Sequence, residues 1–169
     1  NFTRFGSITP FLQIGGDASA KEGWRIAVSM IYGYTKNREK AWEIIEKLGL
    51  CSEQESKVQF TMADRKINAV MSTSAGRLFD AVSAILGIRR QSSFEGEAST
   101  ALQFAAEEFE QKGKLNGNEI WDNVQPVILG LEGRCILNTE ALVKQIVEAK
   151  LQGTDSGALA YLFHQTLAE

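Results

Sequence analysis

Ser72-Thr73-Ser74-Ala75-Gly76-Arg77-Leu78-Phe79-Asp80-Ala81 is the stretch that decides the fold, because it opens a helix that the sequence predicts to run to about Gly87. Apolar residues recur there at helical spacing and form one stripe, made of Leu78, Phe79, Val82, Ile85 and Leu86. We expect this stripe to lie in the core. The hydroxyl-bearing residues 72–74 come just before the first turn, so one of them is predicted to be the N-cap.

A second face of the same helix carries small residues around one carboxylate. Gly76, Asp80, Ser83 and Gly87 share this face, so a backbone or a flat ligand can approach it closely. Asp80 has two interpretations. It either complements the helix dipole and pairs with Arg77 three residues earlier, or it contacts a ligand.

Composition limits the class of protein. The chain has 169 residues, 44% hydrophobic and 23% charged, with a formal net charge of -3. That length can bury one good core or at most two small ones, and the negative charge argues against a nucleic-acid partner. The sequence contains no signal-peptide pattern and no apolar run of about 18 residues, so we expect a cytoplasmic protein without membrane contact.

The cysteines and the single histidine do not form a recognisable site in the sequence. Cys51 and Cys135 are far apart and neither belongs to a CxxC pair, so both are expected to be reduced, buried thiols. His164 is expected to be a partly buried, hydrogen-bonded histidine. No metal site is predicted within the chain.

The remaining pattern predicts an α+β fold that is predominantly helical and has a short β-hairpin. Residues 1–23 are expected to be irregular or extended. Helices are predicted over residues 20–34 and 37–48, after Ser52, after Gly96, from Thr139 to Gly153 and from about Asp155. In the helix after Ser52, the pattern places Val58, Met62 and Arg65 on one face and Phe60 off it. Two short apolar runs, 124–129 and 134–137, predict the hairpin, with residues 130–133 as its loop and Pro126 at an edge.

Four stretches resemble one known family in the same order along the chain. Residues 72–82 resemble the TSSMGRLFDAVAALLG signature of HypF, the carbamoyltransferase family of [NiFe]-hydrogenase maturation. The other matching stretches are Gly15-Gly16-Asp17 followed by Glu22-Gly23-Trp24-Arg25-Ile26-Ala27, then Ser93-Phe94-Glu95-Gly96-Glu97-Ala98, and Phe163-His164-Gln165-Thr166-Leu167-Ala168. We therefore identify the chain as resembling a piece of a longer protein of this family.

The chain departs from the family pattern at four places. It has Gly23 where the family usually has Pro, Phe94 where it has Tyr, Glu97 where it has Gln, and Ser72-Thr73 where it has Thr-Ser. None of these changes removes a candidate catalytic group. Glu97 does add a charge beside the candidate site.

The resemblance implies both a fold and a function. All four stretches match the C-terminal transferase domain of the actin/hexokinase-like ATPase superfamily, so residues 1–169 would be one partial domain, the helical middle region of that domain. The family makes carbamoyl-adenylate from carbamoyl phosphate and ATP, and passes the carbamoyl group to the C-terminal cysteine of HypE. That product supplies a cyanide ligand of the hydrogenase.

The resemblance also implies site residues. In a related tRNA threonylcarbamoyl-transferase family, an Asp and a Gly at the places of Asp80 and Gly96 contact the adenylate. Gly76 would belong to the same pocket, and Arg77 would either pair with Asp80 or reach a phosphate. These residues would bind nucleotide, and no residue of the chain is predicted to be catalytic.

Two further expectations concern what this chain lacks. The metal of the family is held by a histidine cluster and acidic residues outside the matching region, so the chain alone is expected to bind no catalytic metal and to show little or no transfer. The alternatives are a helical interaction module without catalysis, or an O-carbamoyltransferase that acts on small-molecule hydroxyls. The GRLFDA stretch, residues 76–81, favours HypF over the latter.

Overall fold

Helices dominate the computed structural model, which describes residues 6–112, 128–131 and 134–168. The helices are α1 (Gly23–Thr35), α2 (Arg38–Leu48), α3 (Glu53–Arg65), α4 (Ala75–Ile85), α5 (Glu97–Gln111), α6 (Thr139–Leu151) and α7 (Ser156–Ala168). The strands are β1 (Gly6–Ile8), β2 (Phe11–Ile14), β3 (Ala69–Ser72), β4 (Ile128–Leu131) and β5 (Arg134–Leu137). A short 3-10 helix, Gly16–Ala20, precedes α1. The predicted helical α+β class is confirmed.

The helix α4 begins and packs as its sequence predicts. Ser74 is its N-cap, and the Ser74 hydroxyl accepts a hydrogen bond from the backbone N–H of Arg77 at 3.4 Å. The apolar stripe faces the core, where Leu78, Val82, Ile85 and Leu86 are buried. Phe79 is half-buried and its ring meets that of Phe163 edge-on, with the centroids 4.9 Å apart. Side-chain packing against α7 therefore fixes one side of α4.

The helix α1 lies at the centre of the molecule. It contacts α4 and β2 most extensively and also touches α2, α3 and α6. Its buried side chains include Trp24, Ile26, Val28 and Ile31, so most of its circumference is apolar. A helix that is apolar on nearly all sides belongs in the interior. On the far side of α4, α5 packs against both α4 and α7.

Two small sheets flank the helices. In one, β5 lies between β1, which runs parallel to it, and β4, which runs antiparallel. The β4–β5 pair is the predicted hairpin, but pairing extends to Leu131 and Arg134, which leaves a shorter loop than residues 130–133. In the other sheet, β2 pairs antiparallel with β3. Residues 113–127, which include Pro126, lie outside the described part of the chain.

One prediction about a single residue is wrong, and two features of the structure were not predicted. The strand β3 was not predicted, because its four residues carry no alternating pattern and it forms only by pairing with β2. In α3 the core residue is Phe60, which is 2% exposed, whereas Val58 is 52% exposed. The inward face of α3 is the polar one that bears Ser56 and Gln59. The Cys51 thiol is buried as expected, but Cys135 on β5 is exposed.

Candidate functional site

Asp80 marks the contact between α4 and the first turn of α1. Its side chain is largely buried, and the residue is 5% exposed. Gly23, the first residue of α1, lies so close that a Cβ atom added there would be 2.5 Å from the carbonyl oxygen of Asp80. The small-residue face of α4 therefore does admit a close backbone approach, and the approaching backbone is that of α1.

Arg77 covers the carboxylate of Asp80. The Arg77 Nη2 atom is 2.9 Å from the Asp80 Oδ2 atom, and the Arg77 Nη1 atom donates a hydrogen bond to the carbonyl oxygen of Ala20 at 2.7 Å. The predicted Arg77–Asp80 pair is thus present. The two atoms form a close ion pair, and no other described residue donates a hydrogen bond to Asp80 Oδ2.

Two opposing effects act on the pKa of the Asp80 carboxyl. Burial raises the pKa of the Asp80 carboxyl, and the nearby Arg77 guanidinium lowers it by a smaller amount. The Arg77 guanidinium is the one partner of the buried Asp80 Oδ2 atom among the described residues, and a carboxylate oxygen can accept more than one hydrogen bond. Asp80 can therefore accept a hydrogen bond from a ligand hydroxyl, provided that Arg77 makes room.

Gly96 has a structural role that does not depend on a ligand. It is the N-cap of α5 and has a φ angle of 84°, a left-handed conformation that favours glycine. No side chain caps α5 at this end. The carbonyl oxygen of Gly96 accepts hydrogen bonds from the Ser99 hydroxyl at 2.9 Å and from the Thr100 N–H at 2.9 Å. The loop of residues 88–96 therefore ends at Gly96, and no side chain caps the first turn of α5 that follows it.

A short backbone segment, residues 20–24, connects Asp80 with the loop that leads to Gly96. Ala20 accepts the hydrogen bond from Arg77, and Lys21 accepts one from the Ser92 N–H at 2.7 Å. The N–H of Trp24 donates to the carbonyl oxygen of Arg90 at 3.4 Å. The structure thus brings Asp80 and Arg77 into direct contact and places the loop before Gly96 next to the same segment. Gly76 is exposed, and the nearest atom to a Cβ built there is the Ser74 hydroxyl at 3.8 Å.

Glu97 holds the loop that precedes α5. One carboxylate oxygen, Oε2, accepts hydrogen bonds from the Ser93 N–H at 2.6 Å and the Ser93 hydroxyl at 2.9 Å, and Oε1 lies 3.4 Å from Arg89 Nη2. The hydrogen bonds from Ser93 are the main reason why the pKa of Glu97 is lowered. The Glu97 carboxylate, which stands where the family pattern has Gln, therefore bonds to residues of its own loop. The ring of Phe94 in this loop is exposed.

Some features of the site carry no sequence signal. The contacts of Ala20 and Lys21 are made by backbone carbonyl groups, which any residue provides. Arg90 is exposed, and its guanidinium lies 5.3 Å from the ring centroid of Trp24 and 3.5 Å from Glu55 Oε2. The His164 prediction is confirmed, since its Nδ1 atom is 2.7 Å from the carbonyl oxygen of Ala160.

The described residues contain neither a cluster of metal-ligating side chains nor a helix that could span a membrane. No group of three or more His, Cys, Asp or Glu side chains in residues 6–112, 128–131 and 134–168 is arranged to hold a metal ion. Within the same described ranges, each helix is too short or too polar to cross a bilayer.

Comparison with known proteins matches the entire chain. Residues 1–169 match the family described as "Carbamoyltransferase, Kae1-like Domain, second subdomain". The chain is 31% identical over 166 residues to a probable carbamoyltransferase HypF of Methanocaldococcus jannaschii, covering 98% of this chain and 20% of that protein. It is 28% identical over 169 residues to a carbamoyltransferase HypF homolog of Cupriavidus necator, covering 98% of this chain and 40% of that protein.

Solved structures agree on the fold. A crystal structure of full-length HypF in the phosphate- and nucleotide-bound form superposes with a TM-score of 0.79 at 25% identity, covering 99% of this chain and 20% of that one. HypF of T. kodakarensis superposes with a TM-score of 0.72 at 21% identity, over 98% of this chain and 21% of that one. The chain spans about one fifth of the length of these structures. Its full-length family match shows that the chain belongs to the HypF carbamoyltransferase family and corresponds to the second subdomain of the Kae1-like domain.

Proposed function

We propose that the protein carrying this chain transfers the carbamoyl group of carbamoyl-adenylate to the C-terminal cysteine of HypE, for cyanide-ligand synthesis in [NiFe]-hydrogenase maturation. Carbamoyl-adenylate is made from carbamoyl phosphate and ATP. In the transfer, the HypE thiolate forms a bond to the carbamoyl carbon, the bond from that carbon to the phosphate oxygen breaks, and AMP leaves. Membership of the HypF family supports this proposal, as does the likeness to a HypF structure described as phosphate- and nucleotide-bound.

The role of this chain in the proposal is to bind the nucleotide part of the adenylate. The observation that carries it is the buried Asp80 carboxylate, whose Oδ2 atom has the Arg77 guanidinium as its one partner among the described residues. A carboxylate oxygen can also accept a hydrogen bond from a ribose hydroxyl. The uncapped first turn of α5 at Gly96 offers backbone N–H groups on the neighbouring loop. Gly76, without a side chain, leaves open space beside the first turn of α4.

Arg77 has two partners in this proposal. In the structure it pairs with Asp80 and with the Ala20 carbonyl. A ribose hydroxyl that bonds to Asp80 would take the place of Arg77, and the freed guanidinium would reach a phosphate oxygen of the same ligand. The metal ion of the reaction would be held by residues of the longer protein outside this chain.

A helical interaction module without catalysis is the second candidate. It is favoured by the structural roles that Asp80 and Gly96 already fill, since Asp80 packs against Gly23 and Gly96 begins α5. In that case the buried carboxylate would serve only the packing of α1 on α4. An O-carbamoyltransferase activity has no separate support in the geometry.

The test compares the full-length protein with its Asp80→Ala variant. The readouts are carbamoylation of the HypE C-terminal cysteine, carbamoyl-adenylate formation, and circular dichroism as a check of folding. We expect transfer to fall about tenfold or more while adenylate formation and the fold persist, because a hydrogen bond to a charged group is worth about 1.5–3 kcal/mol. The matched control is Asp64→Ala, which removes a carboxylate on the surface of α3 that pairs with Arg38. Unchanged transfer in Asp80→Ala would leave Asp80 as a packing residue.

A further inference from the structure

The strand β3 has one unpaired edge and exposes both of its faces. It pairs with β2 from Ala69 to Ser72, and among the described residues no strand pairs with its other edge. Val70 is 61% exposed and Met71 is 65% exposed, on opposite faces of the strand. Ile67, just before β3, is 46% exposed. We call these three side chains, together with the unpaired edge, the β3 surface.

The register of the sheet shows which backbone groups of β3 lie at the unpaired edge. The N–H of Gly15 donates to the carbonyl oxygen of Asn68 at 3.0 Å. Hydrogen-bonded and non-hydrogen-bonded pairs alternate along an antiparallel ladder, so Val70, two positions further on, also exchanges hydrogen bonds with β2. The N–H and C=O groups of Ala69 and Met71 therefore point away from β2. They offer two donors and two acceptors at the spacing that an added strand requires.

The strand β3 lacks the features that protect an exposed edge. Its four residues, Ala69–Ser72, include no charged residue and no proline. Sheets whose edges stay in contact with water usually carry Lys, Pro or a bulge there, because an apolar unpaired edge attracts other strands. The composition of β3 is instead typical of a strand that has a neighbour on both sides.

A cavity opens beside the same strand. It has a volume of about 460 Å³, and its mainly apolar lining includes Phe11, Leu12, Met30 and Met71. Met71 and Leu12 are cross-strand partners, so they share one face of the β2–β3 sheet. Every second side chain of a strand added next to β3 would lie on that face, beside the cavity. An apolar side chain of the added strand would therefore have a place to pack.

From these observations, we propose that a β-strand from another part of the same polypeptide pairs with the unpaired edge of β3 and packs an apolar side chain into this cavity. The chain spans 20% and 21% of the two HypF structures on which it superposes, so a longer protein of this kind has ample sequence to supply the strand. A segment of the same polypeptide has a high effective concentration and covers the edge at all times. A separate partner would leave an unprotected edge exposed whenever it was absent. The proposal does not depend on the nucleotide site.

The experiment is amide hydrogen exchange of the full-length protein, read at single residues by mass spectrometry with electron-transfer fragmentation. The N–H groups of Val70 and Ser72 bond to β2 and are the internal control, because they are protected whether or not a strand is added. We expect the N–H groups of Ala69 and Met71 to exchange about a hundredfold or more slowly than in an unstructured peptide, as the control amides do. An unpaired edge would instead give alternating slow and fast amides along β3.

A side-chain variant tests the cover of the β3 surface separately. Val70→Thr keeps the shape and the β-branching of the side chain but adds a hydroxyl, which is unfavourable only where the side chain is buried. We expect it to lower the Tm of the full-length protein by about 2 °C or more. The matched control is Val58→Thr on α3, where the side chain is 52% exposed and the two residues have similar helix propensity. Its Tm is expected to equal that of wild type.

Three results would overturn the proposal. Fast exchange at Ala69 and Met71 in the full-length protein would show that the edge is free. Slow exchange that becomes fast on about a hundredfold dilution would assign the cover to a second copy of the protein. A Tm that Val70→Thr leaves unchanged would show that Val70 stays exposed in the longer protein.

Discussion

At the scale of single residues, Asp80 combines a structural and a chemical property in one side chain. Its carboxylate is buried against the start of α1, and the Arg77 guanidinium lies 2.9 Å from its Oδ2 atom. The i,i+3 spacing of Arg77 and Asp80 made their pairing predictable, because such pairs depend only on the helix that carries them. The burial of Asp80 was not predictable, since it is caused by a backbone contact from Gly23, 57 positions away in the sequence.

The raised pKa of Asp80 gives a prediction about stability and pH. An acid whose pKa is higher in the folded than in the unfolded state holds its proton more tightly when folded. Its contribution to the free energy of unfolding is fully present below the ordinary value of 3.8 and is lost as the pH rises through the folded-state pKa. We therefore expect Asp80→Asn, which stays neutral, to raise the free energy of unfolding at pH 7 and to flatten its pH dependence above pH 3.8.

Urea denaturation of wild type and Asp80→Asn across this pH range measures the effect, with Asp64→Asn as the control. The pKa of Asp64 is lowered by its hydrogen bond from Arg38, so that substitution should lower stability at neutral pH instead. In the same Asp80→Asn protein, nucleotide affinity is expected to fall about tenfold or more, because a charged acceptor becomes a neutral one. Lower stability at pH 7 would mean that the attraction of Arg77 outweighs the burial of Asp80.

At the scale of secondary-structure elements, local signals predicted the helices and tertiary contacts decided the rest. The N-caps Asn37, Ser52 and Ser74 all accept hydrogen bonds from the first turns of α2, α3 and α4, as their sequence positions indicate. The strand β3 and the polar inward face of α3 could not be predicted, because each exists only through its neighbours.

The close contact between α1 and α4 lies at Gly23, where the family usually has Pro, and it leads to a prediction. The family usually has Pro at position 23, which suits the first turn of a helix. In this structure a Cβ atom at Gly23 would lie 2.5 Å from the Asp80 carbonyl oxygen and 3.1 Å from the Asp80 Cβ atom. Because the first of these atoms belongs to the backbone, α1 would have to move away. We expect Gly23→Pro to lower the free energy of unfolding by about 1–3 kcal/mol, as overpacking usually does.

A second glycine of the same helix is the matched control for this prediction. Gly33 has nothing within 4 Å of an added Cβ atom, so Gly33→Ala is expected to stabilise the protein by about 0.5–1 kcal/mol through helix propensity. Chemical denaturation of both variants gives the two values. If Gly23→Pro is as stable as wild type, α1 and α4 can separate at this point without loss, and the close approach is not required.

At the scale of the whole molecule, the chain has a buried core and also exposes apolar surface. Its core runs from α1 through α4 to α7, with Trp24, Leu78 and Phe163 almost fully buried. Large apolar side chains nevertheless remain exposed around β3, at Ile67, Val70 and Met71. The chain spans about one fifth of the length of the two HypF structures on which it superposes. The fold of this part was predictable from sequence because the four matching stretches lie between residues 15 and 168, whereas the proposed reaction would also use residues of the longer protein outside this chain.

The last prediction follows from that division. We expect the isolated 169-residue chain to fold but to carbamoylate HypE at less than about one hundredth of the rate of the full-length protein. The physical reason is that the proposed transfer also requires the adenylate to be made and presented to the HypE thiolate. In the proposal this chain supplies only the residues around Asp80 and Gly96, and its only histidine, His164, contacts the Ala160 carbonyl. Mass spectrometry of the HypE C-terminal cysteine measures the product, and circular dichroism confirms the fold. Transfer by the isolated chain at the rate of the full-length protein would place the complete reaction within these residues and contradict a site shared with the rest of the protein.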